Sequence, residues 1–242
     1  MPTGAALFTQ NRSENPPASE GTLPRTKPLL QVAFDFVDAS EATRILAEIA
    51  PVIDIAEVGT SMLKTEGVGV IERFRRTVPE TLVLADAKTM DDADYETRLV
   101  LEAGADMTTV CATAADTTIS RAVARAHQYR GKVVCDLVGT RATRRRLRRL
   151  SELGADYVGI HNGLDERADN EDLSTQLAVC EAMGIRDVQL SGGITPESVR
   201  ELRAGTPSIV VVGGYVLGSP EPRDAVERIR QALAGRFPGE SS

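Results

Sequence analysis

Between Leu84 and Asp92 the chain reads LADAKTMDD. The aliphatic run TLVLA gives way here to an acid, a lysine and two further acids. Asp86 and Lys88 are two positions apart, and in a β-strand such residues share a face. A carboxylate and an ammonium held that close shift each other's pKa, share protons or bind a cation together. The plain alternative is an ion pair closing the end of a strand. Residues of matching type stand at comparable places: Asp35 after LLQVAF, Glu57 in IDIAEV, Asp91 just beyond Lys88, Asp136 in KVVCD and His161 after YVGI. Glu57 and Asp86, with substrate oxygens and waters, suit Mg²⁺, a hard cation that keeps part of its hydration. His161 is a candidate general acid or base near neutral pH, with a plain loop histidine as the alternative. His127, near the end of the helical stretch ARAHQ, fits a structural place beside a helix C-terminus.

Two glycine turns offer a different chemistry. Ser191-Gly192-Gly193 and Gly213-Gly214 each follow an apolar run. Backbone N–H groups of such a turn, leading into a helix N-terminus, bind phosphate without any side chain. Thr195 and Ser198 are spaced to cap the helix that follows. A glycine-rich turn with no ligand is the alternative.

These residues are useful only if something gathers them. From Leu29 onward short β-branched runs alternate with stretches of helical spacing, such as EATRILAEIA and YETRLVLEAG. The runs are LLQVAFDF, VIDIAEV, TLVLAD, DMTTVCA, KVVCDLVG, DYVGIHN, DVQLSG and SIVVVGG. Continuous apolar runs are typical of parallel strands buried on both faces. EAGAD at 102–106 and ELGAD at 152–156 echo each other, each with Gly to stop a helix and Asp to open a strand. The pattern predicts an α/β fold, a (β/α)8 TIM barrel, over a doubly wound sheet. Active sites of such barrels lie at the C-terminal ends of the strands. Asp35, Glu57, Asp86, Lys88, Asp91, Asp136, His161 and both glycine turns all fall there, with Asp91 opening the helix after its strand. The predicted organisation is a disordered Pro-rich tail over 1–28, one barrel domain over 29–236 and a C-terminal tail over 237–242.

Composition narrows the class. The chain has 242 residues, 42% of them hydrophobic, with no Trp and 4% aromatic content, so the core must be aliphatic. The net charge of −7 disfavours nucleic acid or an anionic membrane as partner. The stretch TRATRRRLRRL, with Arg141 and Arg144 to Arg149 around Leu147, lacks aromatics for single strands and reads as a solvated helix face. Arg141 is the one near enough to a strand end to reach an anionic substrate. Cys111, Cys135 and Cys180 show no pairing framework and read as small buried residues of a reducing compartment. With no secretory signal core and no membrane-length apolar run, a cytoplasmic place is expected.

LADAKTMDD resembles the D-x-K-x-x-D motif of the orotidine-monophosphate decarboxylase superfamily, and within it the chain looks most like the 3-hexulose-6-phosphate synthase family. The Asp35 strand, DIAEVGTSMLKTEG, HNGLD, SGGI and the last glycine turn agree in order, over Leu29 to Leu233. The resemblance implies a Mg²⁺-dependent aldol reaction between a phosphorylated ketose, ribulose 5-phosphate, and formaldehyde through an enediolate, or its reverse. It implies Glu57 and Asp86 as metal ligands, Lys88 stabilising the enediolate, His161 moving the proton, and Asp35 and Asp136 positioning hydroxyls and water. Asp91 is implied to reach a partner's site in a homodimer. The related 3-keto-L-gulonate-6-phosphate decarboxylases usually carry Arg where Leu164 stands and Glu where Asp136 stands, which favours the synthase branch. One departure is plain: the family's Gly-Arg after the eighth strand is Gly213-Gly214-Tyr215 here, leaving backbone donors, Tyr215 or Arg167 to hold the phosphate. A different sugar substrate, a decarboxylase, or a catalytically silent barrel remain the alternatives.

Overall fold

The computed structural model describes residues 27–35, 38–165, 173–202 and 205–237. Eight parallel strands close into a barrel in sequence order: β1 (Leu29–Phe34), β2 (Ile55–Val58), β3 (Leu82–Thr89), β4 (Met107–Cys111), β5 (Lys132–Asp136), β6 (Tyr157–His161), β7 (Val188–Ser191) and β8 (Ile209–Val212). Closure leaves no edge strand with unpaired backbone groups. The fold is the expected (β/α)8 TIM barrel. The helices are α1 (Ala39–Ile49), α2 (Thr60–Glu66), α3 (Gly69–Thr77), α4 (Ala93–Glu102), α5 (Asp116–Gln128), α6 (Arg144–Glu152), α7 (Leu173–Ala182), α8 (Pro196–Glu201), α9 (Gly214–Leu217) and α10 (Pro222–Arg236). The second and eighth strands are thus each followed by two helices.

Strand parity decides what faces the barrel axis. Register pairs Gln31 with Ile55 and Val211, Glu57 with Ala33 and Leu84, Asp136 with Cys111 and Gly159, and His161 with Ser191. Inward positions begin with an aliphatic floor of Ala33, Ile55, Leu84, Met107, Val134, Ile209 and Val211. They end, at the C-terminal rim, in acids, hydroxyls and glycines. The alternate residues, among them Val32, Phe34, Val83 and Val133, point outward and pack under the helices in the larger core. Phe237, assigned to the C-terminal tail from sequence, is buried in that core, so the domain extends one residue further. Of the expected tail over 1–28, residues 1–26 lie outside the described residues, as do positions 238–242 and Arg167.

At the N-terminal end the sequence echo has a structural meaning. Asp54, Asp106 and Asp156 each precede an even-numbered strand. Each accepts the N–H of the second residue of the strand before it: Leu30 at 2.7 Å, Val83 at 2.8 Å and Val133 at 2.9 Å. A cation completes each one, Arg230, Arg75 and Lys132 in turn, and the Asp156 carboxylate also bonds His127. Gly104 and Gly154 of the echoed segments have φ of 109° and 82°, the left-handed stop that glycine allows. Among the described residues no helix is long and apolar enough to cross a membrane.

Candidate active site

Asp86 lies near the end of β3 and is 6% exposed. Its Oδ1 accepts the Thr109 hydroxyl at 2.7 Å, and its Oδ2 accepts Thr60 Oγ1 at 2.7 Å and the Lys88 ammonium at 2.5 Å. Lys88 Nζ also reaches Asp136 Oδ2 at 3.2 Å. Asp136, at the end of β5, takes His161 Nδ1 on the same oxygen at 2.9 Å, and its Oδ1 accepts the Val138 N–H at 2.9 Å. One hydrogen-bonded chain therefore runs Asp86–Lys88–Asp136–His161 across β3, β5 and β6. A carboxylate can only accept, so His161 Nδ1 carries a hydrogen toward Asp136, and Nε2 is the nitrogen left for substrate.

Burial works to raise the Asp136 carboxyl, but the hydrogen bond and charge of His161, then Lys88 and the Val138 N–H, hold it below its ordinary value. Burial also opposes the Lys88 charge. Asp86 and Asp136 outweigh it, and the ammonium is held above its ordinary value. Lys88 is thus a fixed cation rather than a proton donor at neutral pH. Glu57, 7% exposed on β2, is the contrary case. Burial, followed by the Asp86 charge, pushes its carboxyl up to about 8 against the Gln31 hydrogen bond and Lys88. Gln31 Nε2 donates to Glu57 Oε2 at 2.5 Å, and Gln189 Nε2 donates to Gln31 Oε1 at 3.0 Å.

Asp35 adjoins this group, half-buried after β1. Its Oδ1 accepts the Ser61 hydroxyl at 2.7 Å. Gly59 is needed beside it, because a Cβ there would lie 2.2 Å from Asp35 Oδ1. Asp91 is not drawn in. It stands exposed on the loop before α4 and makes no hydrogen bond or ion pair among the described residues. Asp92, not Asp91, takes the N-cap position of that helix. Met90 and Tyr95, about half exposed, flank it.

The equal facing of Asp86 and Lys88 holds, but not by simple alternation. Ala85 pairs with Thr108 and Thr89 with Val110, so β3 bulges between them, and Lys88 has a left-handed φ of 47°. Cys111, expected as a plain buried residue, is half-buried and donates its thiol to the Lys88 carbonyl at 3.3 Å. Gln31, Gln189, Thr60 and Thr109 were not singled out from sequence. The two amides carried a usable signal: each stands between aliphatic residues inside a strand run, Gln31 between Leu30 and Val32 and Gln189 between Val188 and Leu190. The threonines look like ordinary strand and loop residues.

At the other side of the rim Gly192 and Gly193 have φ of 106° and 70°, and their N–H groups donate to no acceptor among the described residues. A Cβ on Gly192 would sit 2.4 Å from the Asn162 carbonyl oxygen. The turn leads to the Thr195–Ser198 capping box of α8, as the spacing predicts. Ser191 Oγ contacts the Ile160 carbonyl oxygen at 3.4 Å. Gly213 is the N-cap of α9, and a Cβ on Gly214 would meet nothing within 4 Å. The Tyr215 hydroxyl accepts from Arg228 of α10 at 3.1 Å. Arg141 is exposed on the loop before α6. Arg146 and Arg149 are not merely solvated: both bind Asp116, and Arg146 also donates to the Ala112 and Ala114 carbonyls.

Known proteins share this chain's sequence pattern and fold. A 3-hexulose-6-phosphate synthase of Staphylococcus haemolyticus is 31% identical over 208 residues, 86% of this chain and 99% of the relative. The crystal structure of 3-hexulose-6-phosphate synthase from Salmonella typhimurium matches with a TM-score of 0.78 at 30% identity, covering 86% of this chain and 99% of the other. That of 3-keto-L-gulonate-6-phosphate decarboxylase from Vibrio cholerae matches with a TM-score of 0.78 at 26% identity, covering 87% and 99%. The family model for Orotidine 5'-phosphate decarboxylase / HUMPS matches residues 28–229. With its barrel, its rim acids and its glycine turns in that order, the chain belongs to the Orotidine 5'-phosphate decarboxylase / HUMPS family.

Proposed function

We propose that this chain is a Mg²⁺-dependent aldehyde-lyase that joins ribulose 5-phosphate to formaldehyde, or runs the reverse cleavage. The observation that carries the reading is the chain Asp86–Lys88–Asp136–His161. The reaction needs a base at the ketose C1, a fixed positive charge for the oxyanion that forms, and a grip on the phosphate. His161, with Nδ1 held by Asp136, presents Nε2 to take the C1 proton. Lys88, held protonated between two acids, stabilises the resulting enediolate. The enediolate carbon then bonds to the formaldehyde carbon, whose oxygen takes the proton back from His161 as its double bond becomes a single one. Asp35 and Asp136 position hydroxyls and water. The N–H groups of Gly192 and Gly193, and the turn at Gly213 and Gly214 with Ser191, bind the phosphate.

The residues fit a divalent cation. Glu57 and Asp86 are both buried, Glu57 Oε1 accepts no hydrogen bond among the described residues, and the Glu57 carboxyl is pushed up to about 8. A buried acid beside another acid is short of positive charge. No set of three or more His, Cys, Asp or Glu ligands converges among the described residues. Two carboxylates with the remaining positions open to oxygens of substrate and water match Mg²⁺. Bound there, Mg²⁺ supplies positive charge to the substrate's oxygens.

The similarity to a synthase at 31% identity supports the aldol reading. Leu164 and Asp136, where related decarboxylases usually carry Arg and Glu, support it as well. The exposed Met90 and Tyr95 around Asp91 support a homodimer in which Asp91 serves the neighbouring site, in a cytoplasmic enzyme. The test is to mix the protein with ribulose 5-phosphate, formaldehyde and Mg²⁺ and follow aldehyde consumption. A parallel assay follows CO₂ release from 3-keto-L-gulonate 6-phosphate. Aldehyde consumption that stops with EDTA is the expected result. CO₂ release alone would move the chain to the decarboxylases.

A further inference from the structure

Lys88 is the one non-glycine residue with positive φ inside a strand among the described residues; Asp92 and Arg130 lie in loops. Its conformation follows from the bulge in β3, which advances four residues from Ala85 to Thr89 while β4 advances two from Thr108 to Val110. A bulge breaks the ladder and leaves backbone groups to be satisfied elsewhere. Here one side chain takes most of that burden. The Lys88 N–H donates to Thr109 Oγ1 at 2.8 Å, and the same hydroxyl donates its hydrogen to Asp86 Oδ1 at 2.7 Å. Thr109 is 3% exposed, so its hydroxyl is committed to these two partners. Two neighbours brace the same loop of chain. Thr108 Oγ1 donates to the Ala85 carbonyl at 3.2 Å, at the last regular pair, and the Cys111 thiol donates to the Lys88 carbonyl.

We propose that Thr109 is the positioning residue of this site, its hydroxyl holding the Lys88 backbone in the left-handed region and aiming the Asp86 carboxylate at the Lys88 ammonium. The hydroxyl touches no reacting atom. It acts through both members of the acid–lysine pair at once, accepting from the backbone of one and donating to the side chain of the other. Without it, the Lys88 N–H and Asp86 Oδ1 each lose this partner. The bulge then has reason to relax toward ordinary alternation, which withdraws Lys88 Nζ from its place between Asp86 and Asp136.

The catalytic consequence rests on the proposed reaction; the conformational one does not. Thr109→Val keeps the β-branched shape and removes only the hydroxyl, and Thr109→Ser keeps the hydroxyl. Crystal structures of the wild type and both variants should show a positive Lys88 φ and the Lys88–Asp86 contact in the wild type and the Ser variant, and the loss of one or both in the Val variant. In steady-state kinetics the Val variant should lose roughly 100-fold in kcat, the scale of a 1 Å misplacement. KM for the sugar phosphate should stay within about threefold, since the phosphate turns are untouched. The Ser variant should recover to within about tenfold of wild-type kcat. Should the Val chain fail to fold, Thr109→Ala removes the same hydroxyl with less crowding and takes its place. A Val or Ala variant that keeps the Lys88 conformation and the contact, or keeps kcat, overturns the proposal. So does a Ser variant as impaired as Val. Wild-type protein silent in both the aldol and the decarboxylation assays would sink the functional reading, while the crystal comparison would still decide the clamp.

Discussion

The barrel carries two sets of buried or half-buried acids, one at each end, and they differ in what completes them. At the N-terminal end Asp54, Asp106 and Asp156 each bind a backbone N–H of the preceding odd strand and a cation from a helix or strand. Each such acid ties neighbouring strands in register and has its charge matched locally. At the C-terminal end Glu57, Asp86 and Asp136 are completed by one lysine, one histidine, two threonine hydroxyls, an amide and a single backbone N–H. Three acids share one permanent cation, and Glu57, raised first by burial and then by the Asp86 charge, is the one whose charge is least matched. The partner set, not the residue type, separates an acid that staples a fold from one that can do chemistry.

The contrast breaks if mutations at the two ends behave alike. The largest effect belongs to Asp86→Ala, which removes the acceptor for Lys88, Thr60 and Thr109. Turnover should fall by roughly 10³-fold or more, with the chain still folded by circular dichroism. Retained turnover would remove Asp86 from the mechanism. Next comes Asp136→Asn, which unhooks both His161 and Lys88 while keeping the side-chain shape. kcat should drop by about 10²-fold in the same assay.

The opposite signature is expected at the other end. Asp106→Ala leaves the Val83 N–H and the Arg75 guanidinium short of an acceptor, so it should cost about 1–3 kcal/mol in urea unfolding. kcat of the folded fraction should be unchanged. A variant that keeps its stability and loses activity would erase the distinction between the two ends.

The smallest effect sharpens the comparison by pH. The Glu57 carboxyl is raised from 4.5 to about 8, so folded chains hold a proton there that unfolded chains release. Its contribution is therefore fully present below about 4.5 and is lost as pH rises toward 8. In EDTA the melting temperature should decline across that window, and Glu57→Gln should flatten the decline. Added Mg²⁺ should stabilise the wild type more at the upper end of the window than at the lower, because it needs the ionised carboxylate. A wild-type profile identical to that of Glu57→Gln would contradict the charge shortfall.

Much of this architecture is legible in the residues. Strands buried on both faces must be apolar along their length, so an acid or glycine at the end of each run marks where the strand leaves the core. That rule places Asp35, Glu57, Asp86, Asp136, His161 and both glycine turns on one rim before any coordinates. The β3 bulge is not legible, because it depends on a hydroxyl 21 positions away on the neighbouring strand. Alternation alone gives the right pairing of Asp86 and Lys88 for an incomplete reason. The EAGAD and ELGAD echo is visible as a repeat, but its acids can be recognised as strand staples only once the odd strand's N–H is seen beside them. Asp91 makes no hydrogen bond or ion pair among the described residues, and its expected place in a partner's site concerns an assembly that a single chain does not contain.

The most direct test of the account isolates proton transfer from the aldehyde. Ribulose 5-phosphate is incubated with enzyme and Mg²⁺ in D₂O without formaldehyde, and the C1 proton signal is followed by NMR. The wild type should wash deuterium into C1, and His161→Asn, folded and with the rest of the rim intact, should not. Exchange that survives in His161→Asn, or is absent from the wild type, would contradict a rim built to move that proton.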